Sequence, residues 1–153
     1  KLNNVLFDAT GDEAICVIDL DTVMPGSALY DFGDLVRTST CAAAEDEPDL
    51  DKVFLKKDLF KALVDGYLSK AGTSLTEGEL DLLAYSGKLI TLEIGVRFLT
   101  DHLNGDDYFK IYRKNHNLDR ARTQIKLTQS LEEQWEDLEN IITESRAQHA
   151  GPR

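Results

Sequence analysis

The chain has 153 residues, enough for one domain with its own core, and at 42% hydrophobic and 29% charged it sits near the globular average, away from the disordered range. Its formal net charge of -11 argues against nucleic acid and anionic membrane surfaces as partners, because both attract clusters of Lys and Arg. No apolar run reaches the length of a membrane span.

Val5-Leu6-Phe7-Asp8 and Ala14-Ile15-Cys16-Val17-Ile18 are short β-branched or aromatic-rich runs with turn chemistry between them, so the first twenty residues read as a β-hairpin. With Gly11-Asp12 as a two-residue loop, Val5 faces Ile18 and Asn4 faces Asp19. Cys16 and Cys41 make no C-x-x-C pair, and Cys16, inside an apolar run, reads as a small buried hydrophobe. After a loop closed by Pro25-Gly26, a helix is expected from about Tyr30 to Thr40, with Phe32, Leu35 and Val36 on one face. Ala43 to Asp51 reads as an exposed loop whose run Glu45-Asp46-Glu47 is solvated. A second helix spans about Lys57 to Ala71, stopped by Gly72 at the C′ position. Thr76 and Glu79 form a capping-box pattern for a long third helix reaching about Leu103, where Asn104-Gly105 ends it. Past a connector from Asp106 to Asn117, a last helix from about Leu118 to Arg146 carries Ala121, Ile125, Leu131, Trp135, Leu138 and Ile142 as one stripe. Gly151-Pro152-Arg153 reads as a frayed end, and His102, His116 and His149, without metal-ligand spacing, read as surface residues. The fold class is α+β, mostly α: a short hairpin and about four helices in one domain, 1–153.

Two constellations carry chemistry. Directly opposed strand residues have Cα atoms about 4.5–5.5 Å apart, so Asn4 and Asp19 emerge side by side where both strands end. An amide oxygen beside a carboxylate suits Mg2+, which takes hard oxygen ligands and keeps phosphates and waters in its shell. The alternative is that Asn4 caps the strand and Asp19 starts a turn. Arg97, among Ile94, Val96, Phe98 and Leu99, needs a partner because an unpaired buried charge is costly. A ligand carbonyl and an acid such as Glu93 or Asp101 both qualify.

Lys1-Leu2-Asn3-Asn4-Val5-Leu6-Phe7 resembles the second half of the catalytic loop of the aminoglycoside phosphotransferase and choline kinase superfamily, H-x-D-x-x-x-x-N followed by a strand. Cys16-Val17-Ile18-Asp19-Leu20-Asp21 resembles its metal-binding I-D-x-[DE] strand end. Tyr30-Asp31-Phe32-Gly33-Asp34-Leu35 resembles the later segment that opens a helix. The resemblance implies part of the C-terminal lobe of a protein-kinase-like fold, with ATP and Mg2+ as cofactors. It gives Asn4 and Asp19 the metal, and Asp31 a bracing role behind the catalytic loop, although Asp31-Phe32-Gly33 spells the D-F-G of protein kinases. Asp21 is either a second metal or substrate contact, if the strand continues, or an exposed turn carboxylate. The family's catalytic base falls two positions before Lys1. That base and the nucleotide-covering N-terminal lobe, a partner expected in cis, lie outside the chain, which alone is expected to be inactive.

Within the superfamily, Gly95 to Leu103, Gly105 to Phe109 and the stretch from Cys16 to Thr38 are similar to the N-acetylhexosamine 1-kinase branch. The implied reaction transfers the ATP γ-phosphate to the anomeric hydroxyl of GlcNAc or GalNAc, with Arg97 and Tyr108 touching the sugar and Trp135 stacking on it. Taken alone, Tyr108 and Trp135 also suit core or rim positions. Two alternatives stand beside this reading. One is a kinase of choline, homoserine or an aminoglycoside, which the acidic balance would suit. The other is a non-catalytic helical binding module on a degenerate kinase scaffold. The partner is a small molecule, and the compartment expected is the cytoplasm.

Overall fold

In the computed structural model, which describes residues 2–149, apolar residues at helical spacing gather into six α-helices below one small hairpin. The expected frayed end at 151–153 lies outside the described residues. Strand β1 (Val5–Phe7) pairs antiparallel with β2 (Ala14–Val17). The helices are α1 (Ala28–Ser39), α2 (Lys57–Ala71), α3 (Glu77–Asp81), α4 (Leu83–Asn104), α5 (His116–Glu133) and α6 (Trp135–His149). The arrangement is α+β and mostly helical, as expected for part of a kinase-like fold.

Helix α4 packs against both α1 and α5, while α2 packs on α6. Small residues permit these approaches. A Cβ on Gly33 of α1 would stand 2.5 Å from Ile90 Cγ1 and 2.6 Å from the Ser86 carbonyl oxygen of α4. A Cβ on Gly87 would meet Val36 Cγ1 at 2.9 Å. Phe32 and Val36, Phe60 and Val64, Leu83, Leu127 and Leu131, and Leu138 and Ile142 close the core between the helices. Asp31-Phe32-Gly33 is therefore explained by packing at two of its three positions: Phe32 is a core side chain and Gly33 a helix contact.

Two expected helices are each broken in two. The third is interrupted at Leu82, although its Thr76–Glu79 capping box forms as read. The last is interrupted at Gln134, whose amide donates to the carbonyl of Leu55 at 3.2 Å and to Ser130 Oγ at 2.9 Å. Ser130 Oγ also accepts from the Leu55 amide, so this break serves the crossing segment in which Val53 and Leu55 are buried and Phe54 is exposed. Ile125 falls off the buried stripe and is 37% exposed. Gly72 has φ -54 and continues α2 into a short 3-10 turn, where a left-handed C′ glycine was expected. Gly105, at φ 107, is the left-handed stop that the Asn104-Gly105 reading called for.

The hairpin stands apart from this core. Every residue from 9 to 26 is exposed, Cys16 included, so the expectation of a buried cysteine is corrected: among the described residues the main packing partner of the strand that carries it is β1. No helix among the described residues is long and apolar enough to cross a membrane.

Candidate metal and substrate site

The hairpin register differs by one from the two-residue-loop expectation. Val5 pairs with Val17 and Leu6 with Cys16, and a bulge then shifts Phe7 onto Ala14. Asp8 is the cause. Its carboxylate accepts from the amides of Asp12 and Glu13 and from the Thr10 hydroxyl, which winds 8–13 into one larger turn. Chiefly the Thr10 hydrogen bond, with backbone help, holds the Asp8 carboxyl below its ordinary value.

The bulge leaves the strand ends together. The Ile18 amide donates to the Asn4 carbonyl at 2.9 Å, and Asn4 Nδ2 donates to Asp19 Oδ2 at 3.0 Å. Asp19 takes φ 63, a left-handed conformation uncommon outside Gly and Asn/Asp, which ends the strand direction there. The strand therefore does not carry on to Asp21, which sits exposed in the following turn, so a face shared with Asp19 is not formed. The contact leaves the Asn4 amide oxygen and the second Asp19 carboxylate oxygen outside their mutual bond. These are hard donors, although no group of three or more His, Cys, Asp or Glu gathers here or elsewhere among the described residues. Two protein oxygens at an exposed strand end fit Mg2+, which completes its shell with phosphates and waters.

Away from the hairpin, Arg97 and Tyr108 are brought together. They share a cavity of about 400 Å3 with Thr100, Asp101, Asn104 and Phe109, and Arg97 Cζ lies 5.9 Å from the Tyr108 ring and 5.6 Å from the Phe109 ring. Arg97 is exposed, and its acid neighbour Glu93 is 3.7 Å away, beyond hydrogen-bond reach. Trp135 lies elsewhere, half-buried against the main core with Lys88 over its ring at 5.8 Å, and is not among the residues lining this cavity. Asp31 is exposed on the first turn of α1, a helix that touches the 2–4 turn carrying Asn4.

Several residues that hold this region were not visible in the sequence. Asp101 is buried and accepts from the amides of Tyr108 (2.8 Å) and Phe109 (2.9 Å) and from Asn117 Nδ2 (2.8 Å). The backbone amides, Phe109 first and then Tyr108 and Asp107, keep its carboxyl below the ordinary range against the opposing effect of burial. The acidic loop is not a solvated run. Glu45 accepts from Arg37 Nη1 at 2.7 Å, and Asp46 faces both Arg113 and His116 Nε2 at 3.1 Å. His116 is correspondingly buried rather than a surface residue, and its Nδ1 accepts from the Tyr112 amide. For Asp46, burial pushes the carboxyl up, but the Arg113 hydrogen bond, a backbone bond and the Arg113 charge outweigh it and the net shift is downward.

A second cavity of about 400 Å3 lies between α1, α4, the 105–115 connector and α5; it shares Arg97 and Phe109 with the first. It shares Arg37 and Glu45 with a third, of about 290 Å3, that reaches Asn3. A run of adjoining cavities thus leads from the neighbour of Asn4 to Tyr108.

Residues 1–61 match the model of the phosphotransferase enzyme family. The match, over less than half of the chain, supports the aminoglycoside phosphotransferase and choline kinase-like superfamily, a family whose chemistry implies a nucleotide and a divalent metal. The matched span contains Asn4, Asp19, Asp21 and Asp31, whereas Arg97, Tyr108 and Trp135 lie beyond it.

Proposed function

We propose that the chain is the C-terminal portion of an ATP-dependent small-molecule kinase that phosphorylates an N-acetylhexosamine, GlcNAc or GalNAc, at its anomeric hydroxyl. The observation that carries the reading is the 3.0 Å contact of Asn4 with Asp19 inside the span that matches the phosphotransferase family. Asn4 and Asp19 would hold Mg2+, which would supply positive charge to neutralise the charge that develops on the transferring phosphoryl group. Arg97 and Tyr108 offer a guanidinium and a phenol on one cavity wall, suited to the carbonyl and ring face of an amino sugar. Asp31 braces the loop before β1 from the start of α1. The base and the nucleotide lobe belong to the proposed full-length parent.

A cationic acceptor such as choline or an aminoglycoside fits less well. In the adjoining cavity Asp34 and Glu45 are taken up by Arg37, and Arg97, Lys110 and Arg120 would repel it despite the acidic total charge.

ADP release by the full-length parent with Mg-ATP tests the reading against GlcNAc, GalNAc, choline and an aminoglycoside. Turnover is expected on the amino sugars, with kcat/KM lowered about tenfold or more by Arg97→Ala through loss of a charge-assisted hydrogen bond. Turnover confined to a cation would discard the sugar, and absence of both ADP release and nucleotide binding would discard the kinase.

A further inference from the structure

The chain as a whole is strongly acidic, yet the cavity between α1, α4, the connector and α5 is lined by four cationic side chains and two acidic ones. Both acids are already engaged. Asp34 accepts from Arg37 Nε at 2.8 Å and Glu45 from Arg37 Nη1 at 2.7 Å, so Arg37 is neutralised in place. Glu45 must also serve Arg120, which it reaches only at 3.6 Å, and Arg120 Nε is buried without a hydrogen-bond partner among the described residues. Lys110 makes no ion pair among the described residues and lies 5.3 Å over the Tyr112 ring. Among the described residues the one acid paired with Arg97 is Glu93, at 3.7 Å, and its guanidinium otherwise lies against the Tyr108 and Phe109 rings. Apolar surface from Ile94, Phe98 and Phe109 backs these charges, and a low-dielectric wall strengthens their field toward an entering ion.

We propose that this cavity binds a small oxyanion group, a carboxylate or phosphoryl, with Lys110 and Arg97 as its principal contacts. Two donors with spare positive charge on an exposed rim, over a partly apolar floor, complement a compact anion better than a neutral or cationic group. The group has two possible sources: an acidic substituent on a sugar, or a free inorganic anion. The proposal does not depend on catalysis, so it is tested by binding without nucleotide.

Calorimetric titration of the chain at low salt with glucuronate, glucose and inorganic phosphate separates the sources. Glucuronate binding at least about tenfold tighter than glucose, weakened about tenfold or more by Lys110→Glu or Arg97→Gln, would establish the acidic-sugar source. Phosphate binding with the same sensitivity, and no preference for glucuronate, would establish the free-anion source. Lys114→Glu, an equal charge change at an exposed position outside the cavity, is expected to leave either affinity within about twofold. Failure of both anions to bind, or binding indifferent to Lys110→Glu and Arg97→Gln, would overturn the proposal. Loss of amino-sugar turnover in the parent would leave it standing.

Discussion

Asp101 and Asn117 fix the wall that carries Tyr108. The carboxylate takes two consecutive backbone amides, and Asn117 Nδ2 donates both to it and to Asp106 at 2.9 Å, while Asn117 Oδ1 accepts from Arg120. Removing the acceptor strands three donors, so Asp101→Ala is expected to speed hydrogen exchange at the Tyr108 and Phe109 amides and lower thermal stability. Exchange unchanged from wild type would show that the wall is held by other contacts. None of this was legible in the sequence, because Asp101 was read only as a possible ion partner for Arg97. Backbone donors in an irregular connector leave no pattern. The contact of Asn4 with Asp19 is legible because a hairpin must bring its two strand ends together, even though the register differs by one from the two-residue-loop expectation.

The close crossing of α1 and α4 belongs to the scale of the element. Gly33→Ala would drive a methyl into a backbone oxygen that cannot rotate away, so a loss of about 1–3 kcal/mol is expected in denaturant unfolding. A stability unchanged within about 0.5 kcal/mol would mean that the helices can separate without cost. Helix existence was readable from apolar spacing, and α2 has the bounds that spacing gave. The breaks were not. Neither Leu82 nor Gln134 is a Gly or Pro, and at Gln134 the interruption is tied to a crossing segment nearly eighty residues upstream. Local periodicity contains no record of such a partner.

Across the whole molecule, acidic groups are held in their charged form by specific partners. Asp8, Asp46, Asp65, Asp101 and Glu79 all titrate below their ordinary values of 3.8 for Asp and 4.5 for Glu. A carboxyl with a depressed folded-state value stabilises fully above its unfolded value and loses that contribution as pH falls through the folded one. Stability followed by circular dichroism is therefore expected to be flat toward neutral pH and to decline below about pH 4.5. A decline beginning well above that range would point to groups other than these carboxylates. The same arrangement explains why total charge misleads at the site: -11 overall coexists with a cationic cavity, because most acids face solvent or are already paired.

The phosphotransferase reading rests on two oxygen-bearing side chains at the end of an exposed hairpin. Its most direct test is ADP release by the full-length parent with Mg-ATP and its acceptor, compared between wild type, Asp19→Ala and the exposed turn control Asp12→Ala. The account predicts a loss of at least about 100-fold in kcat for Asp19→Ala, with the fold retained and Asp12→Ala near wild type. Turnover of Asp19→Ala within a few-fold of wild type at saturating Mg2+ would contradict the metal site and the reading built on it.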